Sequence, residues 1–597
     1  MYFECIWPSF CTFPCGHSCF YNFIFTVQII DGGSTGSRLH IFEFVHDMFT
    51  NRTNCIRRGS EKVQIPLSAY APSSISSSSY SQQDTKEESL SSLNATHVAQ
   101  HLIPLFEYAA HIVPSKYHST THVLLQATAG MRLLPEEEQE LVYDAIYTGL
   151  KEHPNFVFKH MQRTDIGALP GSVEALYGAV AANFLKGVVD VHLHMLHPEN
   201  TTGTVDAATT TATTANSATV YDDSIRFHEH DDNNWNVQME QDNDFDGPLG
   251  ALDMGGASMQ IVYLPNTDTN PECHNEHHDT CNDHQSMDFL PDISHPNRLN
   301  SDEFFSVSYL SYGADQFRER LYDTFVDERD RLEANGSLHG SNTILNPCSF
   351  QGYTFHWKGY EFVGTGDAKQ CAMEVNRLIP HHEETVDHDY YDDYYYNDEE
   401  DFIGGIVVSN PMTKRRKVGG VHHPPVRGKF FAMSLFFFTL DCLRELSGHE
   451  ALNSSWPNPS IGELTDALDH LCSRNWYGDL ENIQHNSHEF TRAEVLPDRC
   501  FEAVYMVTLL RDGFGFEWDS RDITFTYLVD GSEVEWSLGM AISHFAEEES
   551  PAVTVLPCSS SSGHCTSQST WTGLWSDGWN STPFQYMSIS IRRILGY

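Results

Sequence analysis

A repeated local pattern constrains this chain more than any other feature: an apolar run that ends in a short, acid-headed glycine/serine loop. Phe23 to Ile30 runs into Asp31-Gly-Gly-Ser-Thr-Gly-Ser-Arg38, and about 220 residues later another run enters Asp253-Met-Gly-Gly-Ala-Ser-Met-Gln260. Glycines let backbone approach a ligand closely, hydroxyls and N–H groups donate to phosphate oxygens, and the leading Asp can face a cation. One such loop alone reads as an ordinary hairpin turn. The pair predicts two similar half-domains gripping one polyphosphate.

The surrounding sequence places these loops on strands. Leu39 to Phe44 alternates as the strand returning from the first loop, and Gly250 to Val262 repeats the strand, loop and strand order. His122 to Gln126 predicts a strand leading into Ala127-Thr-Ala-Gly-Met-Arg132, a third junction carrying a hydroxyl. Helices are predicted at Val98 to His111, after Pro135 with Glu136, Glu137 and Glu138, and over Gly171 to Leu185, the last amphipathic and bearing Glu174. Further helices are expected at Phe304 to Glu333, Phe430 to Leu446, Ile461 to Trp476 and Cys500 to Arg511. Strands are expected at Ile523 to Val529 and Val534 to Leu538, and loop over Cys55 to Ser92. The Thr/Ala-rich and acidic stretch 195–246 reads as disordered, and 381–426 as a second insertion containing the basic run Lys414 to Lys417, an exposed loop or processing site. Asn266 to Asn300 reads as a polar loop closed by a Cys273–Cys281 bridge, its histidines solvated rather than metal-bound.

Composition excludes one broad class of partner. The 597 residues carry 82 acidic and 35 basic side chains, a formal charge of -47, whereas binding to a nucleic-acid backbone needs basic surface. A phosphate-handling chain this acidic calls for a divalent cation and local amide donors. Fourteen cysteines without zinc-ribbon spacing, together with sequons at Asn51, Asn94, Asn200, Asn335, Asn453 and Asn580, point to an oxidising luminal or extracellular compartment. Met1 to Phe20 is aromatic and holds Cys5, Cys11, Cys15 and Cys19, matching neither a signal peptide nor a membrane span. The expectation is a leader or membrane anchor that is missing or misread upstream of Tyr21.

Five segments in order now resemble a known family. Asp31 to Arg38, Ala127 to Leu134, Gly171-Ser-Val-Glu-Ala-Leu-Tyr-Gly178, Asp253 to Gln260 and Glu535-Trp-Ser-Leu-Gly539 resemble the five motifs of the apyrases, or nucleoside triphosphate diphosphohydrolases. Ser308 to Gly313, Gly364 to Asp367 and Phe431 to Phe436 are also similar to family segments, so the likeness spans roughly residues 24 to 545. The third motif departs from the family pattern at Ala175 and Ala179. The part from Phe431 to Gly539 looks most like the Golgi and lysosomal branch, which favours nucleoside diphosphates such as UDP.

The resemblance implies an α/β protein with the two-lobed actin/Hsp70/hexokinase-like (RNase H-like) fold, each lobe a mixed five-stranded sheet, the active site in the inter-lobe cleft. The expected division is a Cys-rich leader over 1–22, lobe I over 23–170 plus 533–560, lobe II over 171–532, and a loose tail over 561–597. Lobe II would hold the insertions at about 195–246 and 381–426, and the lobes would cross over near 165–190. By the same resemblance, Ser34, Thr35, Gly36, Arg38, Thr128, Gly255, Gly256 and Ala257 bind phosphate, while Asp31, Asp253 and Trp536 hold Ca2+ or Mg2+ through water. Glu174 would be the general base, with Ser258 and Gln260 orienting the attacking water. It also implies the disulfides Cys348–Cys371 and Cys472–Cys500, leaving Cys442, Cys558 and Cys565 open. The expected reaction is metal-dependent hydrolysis of nucleoside tri- or diphosphates to a lower nucleotide and orthophosphate. The competing readings are an exopolyphosphatase-like hydrolase of the same fold and a catalytically silent nucleotide-binding relative.

Overall fold

The first glycine loop joins two strands of one sheet, and the second glycine loop joins two strands of another. In the computed structural model, β1 (Ile24–Gly33), β2 (Gly36–Asp47), β3 (Arg52–Val63), β4 (His122–Ala127) and β5 (Ile166–Ala168) form a sheet in the order β3-β2-β1-β4-β5. A second sheet is formed by β6 (Gly250–Met254), β7 (Ser258–Tyr263) and β8 (Phe305–Leu310) with the strands Phe430–Ser434 and Ile523–Phe525. The wiring is the same in both. An antiparallel meander, β1-β2-β3 or β6-β7-β8, extends on its opposite side through two parallel strands. The expected mixed five-stranded sheets are therefore present twice.

The structure describes residues 24–47, 52–74, 95–196, 247–265, 298–300, 303–335, 342–380, 402–403, 406–407, 417–483, 488–529 and 531–549. All of them belong to the unit Met1–Glu549. The Cys-rich leader, most of both expected insertions, the Cys273–Cys281 bridge and the tail lie outside the described residues.

Two helices, Gly171–Leu185 and Trp536–Glu549, are buried against both sheets. One apolar cluster contains Val27, Ile29 and Phe44 of the first sheet, Ala251, Val262 and Phe431 of the second, and Ala181, Leu185, Ala541 and Phe545 of the two helices. Small residues allow the close approach: a Cβ at Gly539 would collide with the carbonyl oxygen of Tyr177. The Gly171–Leu185 helix is consequently buried on nearly every side instead of amphipathic. The outer face of the first sheet packs on the helices Ala95–Ile112 and Glu136–Glu152, and the second sheet packs on Ala314–Ala334, Leu435–Ser447 and Arg499–Thr508.

Several sequence expectations are corrected. Arg52–Val63 is a strand, not loop: it pairs with β2 and buries alternate residues Cys55, Arg57 and Gly59 despite its polarity. Phe304 to Glu333 divides into β8 and a helix beginning at Ala314, separated where Ser311 takes φ 66°. Phe430 to Leu446 likewise divides, because Phe430–Ser434 lies between β6 and Ile523–Phe525, where sheet pairing overrides the helical pattern. The strand expected at Val534 to Leu538 is instead the start of the Trp536–Glu549 helix, a short apolar run being ambiguous by periodicity. The helix expected to reach Trp476 ends at Cys472. Residues 417–426 belong to the fold, not to an insertion: Val418 is buried in the core and the Tyr263 hydroxyl donates to the Pro424 carbonyl at 2.6 Å. Both implied disulfides, Cys348–Cys371 and Cys472–Cys500, are formed, while Cys442 is a free buried thiol.

Candidate active site

The two glycine loops are tight turns at equivalent positions of their sheets. Gly33 pairs with Gly36, leaving Ser34 and Thr35 exposed at the tip. Gly36 takes φ 152°, and a Cβ there would strike the Val63 carbonyl, so glycine is required. In the second loop the Gly255 N–H donates to the Ser258 carbonyl at 3.0 Å, so this amide closes the turn and is not available to a ligand. The third junction packs against the first: the Thr128 N–H donates to the Gly32 carbonyl at 3.1 Å, and a Cβ at Gly130 would sit 2.9 Å from Ser34 Cα. Across the gap, a Cβ at Gly256 would lie 3.7 Å from Ser34 Oγ and 2.5 Å from Asp315 Oδ2. Three predicted phosphate-binding segments therefore meet around Ser34.

Asp31 and Asp253 head the loops at the buried ends of β1 and β6. Burial pushes the Asp31 carboxyl up to about 8, with Glu174, Glu535 and Asp253 adding to the rise and Arg38 opposing it. Burial also raises Asp253, against a hydrogen bond from Ser434 and the Met254 N–H. One buried oxygen of each, Asp31 Oδ1 and Asp253 Oδ1, has no hydrogen-bond partner among the described residues. Two orphaned carboxylate oxygens fit a hard cation that keeps much of its water. Among the described residues no three His, Cys, Asp or Glu side chains cluster as a metal site, so such a cation would depend on water and substrate oxygens for its remaining ligands.

Glu174 enters from the first turn of its helix, where Pro170 starts the helix and the positive end of the dipole favours a carboxylate. Arg132 Nη1 donates to Glu174 Oε2 and to the Leu169 carbonyl, both at 2.7 Å, and Arg132 Nη2 donates to Ser258 Oγ at 3.3 Å. Gln260 Nε2 donates to the same Ser258 Oγ at 2.8 Å. With its oxygen accepting twice, the Ser258 hydroxyl has its proton left to donate onward. Burial pushes the Glu174 carboxyl up to about 7, outweighing the Arg132 charge and hydrogen bond that pull it down. A carboxyl held near neutrality suits proton abstraction from water. Arg132 is the member that sequence reasoning left without a role, although it closes the quoted Ala127 to Arg132 segment.

Two predicted residues sit differently from the others. Trp536 is 8 % exposed inside the apolar cluster between the sheets, a packing position. Its neighbour Glu535 is the residue that reaches the site, accepting from Arg38 Nη1 at 2.7 Å and facing His40 Nε2 at 3.1 Å. Arg38, expected on phosphate, thus has its charge matched by Glu535. Ala175 and Ala179, the departures in the third motif, are buried in the same apolar cluster and leave Glu174 turned to Arg132.

Comparison with known proteins identifies the family and the fold. The chain is 22% identical over 539 residues to the Golgi apyrase of Saccharomyces cerevisiae, covering 86% of this chain and 69% of that protein. It is 23% identical over 534 residues to ectonucleoside triphosphate diphosphohydrolase 7 of Mus musculus, covering 86% and 71%. The fold is similar to the crystal structure of nucleoside triphosphate hydrolases from Neospora caninum, with TM-score 0.53 at 15% identity, covering 89% of this chain and 93% of that one. The profile of the GDA1/CD39 (nucleoside phosphatase) family matches residues 22–389 and 412–555, and the chain belongs to that family.

Proposed function

We propose that this nucleoside phosphatase hydrolyses the terminal phosphoanhydride of nucleoside tri- or diphosphates by direct attack of water between the two Asp-headed loops. The observation that carries the reading is the meeting of two identically wired hairpins, each with a buried, unpartnered Asp oxygen, beside a Glu174 poised near neutrality. Ser34, Thr35 and Gly36, joined by the Thr128 hydroxyl, on one side, and Gly256 and Ala257 on the other, hold the phosphates through N–H and O–H donors, the Thr128 amide being closed on the Gly32 carbonyl. Glu174 accepts the proton of the attacking water, and Ser258, fixed by Arg132 and Gln260, donates its hydroxyl proton to orient that water. Asp31 and Asp253 hold Mg2+ or Ca2+ largely through water. Bound there, the cation supplies neutralisation of charge on the transferred phosphoryl group.

Water attack is favoured over an acyl-phosphate on Asp31 because Asp31 is assigned to the cation, while Glu174, held near neutrality, is placed to take a proton from water. The proposed division keeps lobe I over 23–170 plus 533–560 and lobe II over 171–532, the second with its insertion ending before Lys417. Two disulfides and the Golgi and ecto-type relatives support a Golgi luminal or extracellular home for a glycoprotein. No helix among the described residues is long and apolar enough to cross a membrane; an anchor near the N-terminus is part of the proposal.

Phosphate release from ATP, UDP and inorganic polyphosphate, with and without Mg2+ or Ca2+, tests the reading. Release should depend on the cation, and Glu174→Gln should lower turnover at least about a hundredfold while nucleotide binding persists. Near-normal turnover in that variant would remove Glu174 as the base. Release from polyphosphate alone would favour the exopolyphosphatase reading, and binding without release the silent one.

A further inference from the structure

The matched wiring of the two sheets exposes a difference between them. Asp31 pairs with Arg38 across β1 and β2, and Arg38 pairs with Lys62 across β2 and β3. Residues opposite one another in antiparallel strands project to the same face, so Asp31, Arg38 and Lys62 form one row. At a strand spacing of about 4.8 Å, the row carries Lys62 about 10 Å from Asp31. The equivalent row of the second sheet is Asp253, Gln260 and Ser308. One row is cationic beyond its Asp and the other is neutral.

The cations of the first row are not spent alike. Arg38 is held by Glu535, whereas Lys62 makes no ion pair among the described residues. A third cation joins from the opposite side. Arg492, exposed and without an ion pair among the described residues, comes close enough to Lys62 that its charge acts on it. Desolvation and the like charges of Arg38 and Arg492 hold the Lys62 ammonium below its ordinary range, against the charge of Asp31, which pulls it up. Glu535 and Glu533 match Arg38, which leaves Lys62 and Arg492 as the neighbouring like charges whose repulsion a bound anion would relieve. In a chain with 82 acidic and only 35 basic residues, such a convergence next to the phosphate loops is not a generic surface feature.

Arg492 is also mounted firmly. Its neighbour Thr491 accepts a hydrogen bond from Arg499 Nε at 3.0 Å and is 2.8 Å from His488 Nδ1. His488 Nε2 in turn lies 3.1 Å from Asp441 Oδ2, and Arg499 Nη1 donates to Thr439 Oγ1 at 2.8 Å. His488, Asp441 and Arg499 are all buried. This network fixes the segment that presents Arg492, a supporting shell of the kind a preformed anion site needs.

We infer that Lys62 and Arg492, one from each side of the gap, form the subsite for the phosphate that stays on the nucleotide after cleavage. The inference rests on the nucleoside phosphatase reading above and extends it to the leaving group. It makes the preferred substrate one with at least one phosphate beyond the transferred one, and it directs the leaving nucleotide over the β2–β3 side of the first sheet.

Binding of a β,γ-imido nucleoside triphosphate and of inorganic phosphate to the full chain, measured by calorimetry, tests this. Lys62→Met and Arg492→Met should each weaken the imido nucleotide about tenfold or more, leaving inorganic phosphate within about twofold, and Lys62→Arg should restore most of the loss. The double variant should lose less than the product of the two single effects, because both cations contact one phosphate. Nucleotide affinity unchanged in Lys62→Met, or an equal loss for inorganic phosphate, overturns the subsite while leaving the phosphatase reading intact. A wild-type chain that binds neither ligand removes both.

Discussion

Arg132 shows how one side chain can set the chemistry of another. It holds Glu174, the Leu169 carbonyl and the Ser258 hydroxyl at once, so it is a positioning residue for the proposed base and for the group that orients water. Glu174 must lose its proton to act, so kcat/KM of the wild-type chain should rise with pH through about 7. Removing Arg132 removes a charge that pulls the Glu174 carboxyl down. Arg132→Met should therefore move the rising limb of the pH profile upward and lower kcat more than it raises KM. Breaking a buried pair of this kind also destabilises a fold by roughly 3 kcal/mol, which denaturant titration would register. An unmoved pH limb would show that Arg132 is only structural.

At the scale of elements, the Gly171–Leu185 and Trp536–Glu549 helices carry the greatest demand for close packing. Gly539 has no room for a Cβ beside the Tyr177 backbone, and Gly178 faces Met433 of the second sheet. Gly539→Ala should force the helices apart and cost about 3 kcal/mol of stability, measurable as a lower unfolding midpoint. Activity should fall as well, because Glu174 and Glu535 are carried at the starts of these two helices. A stable, fully active variant would mean that the helix contact is looser than the structure has it. The sequence made the Gly171–Leu185 helix legible through its small residues and helical length. It misread Val534 to Leu538, because a short apolar run ahead of a buried helix has no period that separates strand from helix. Arg52–Val63 was hidden for the opposite reason: its charged residues find their partners on other strands and elements, Arg58 on Glu43 of the neighbouring strand and Arg57 on Glu533 across the fold.

The whole molecule combines a strongly negative charge with a site for anions. A formal charge of -47 produces a long-range field that opposes the approach of a nucleotide. Raising ionic strength from about 10 mM to about 150 mM shortens the reach of that field from tens of ångströms to roughly 8 Å. At fixed divalent cation, kcat/KM at low substrate should therefore rise roughly threefold over this range. A steady fall instead would mean that the local cations Arg38, Lys62 and Arg492 govern the encounter and that the distant acids matter little.

The amino-acid sequence alone determined the order of the motifs, and with it the repeated hairpins, the residues gathered around Ser34, and Glu174 as the candidate base. These are local signals, since turn glycines, hydroxyls and an acid on a helix's first turn are written within a few residues of one another. Only the tertiary structure decided which of them act together. It gave Arg132 to Glu174 and Ser258, tied Arg38 to Glu535, turned Trp536 into the core, and used the Gly255 amide to close its own turn. The Gly255 closure is a local bond to Ser258, but the other outcomes depend on partners 42 to 497 positions away or on burial between two sheets, and neither is encoded in the spacing of neighbouring residues.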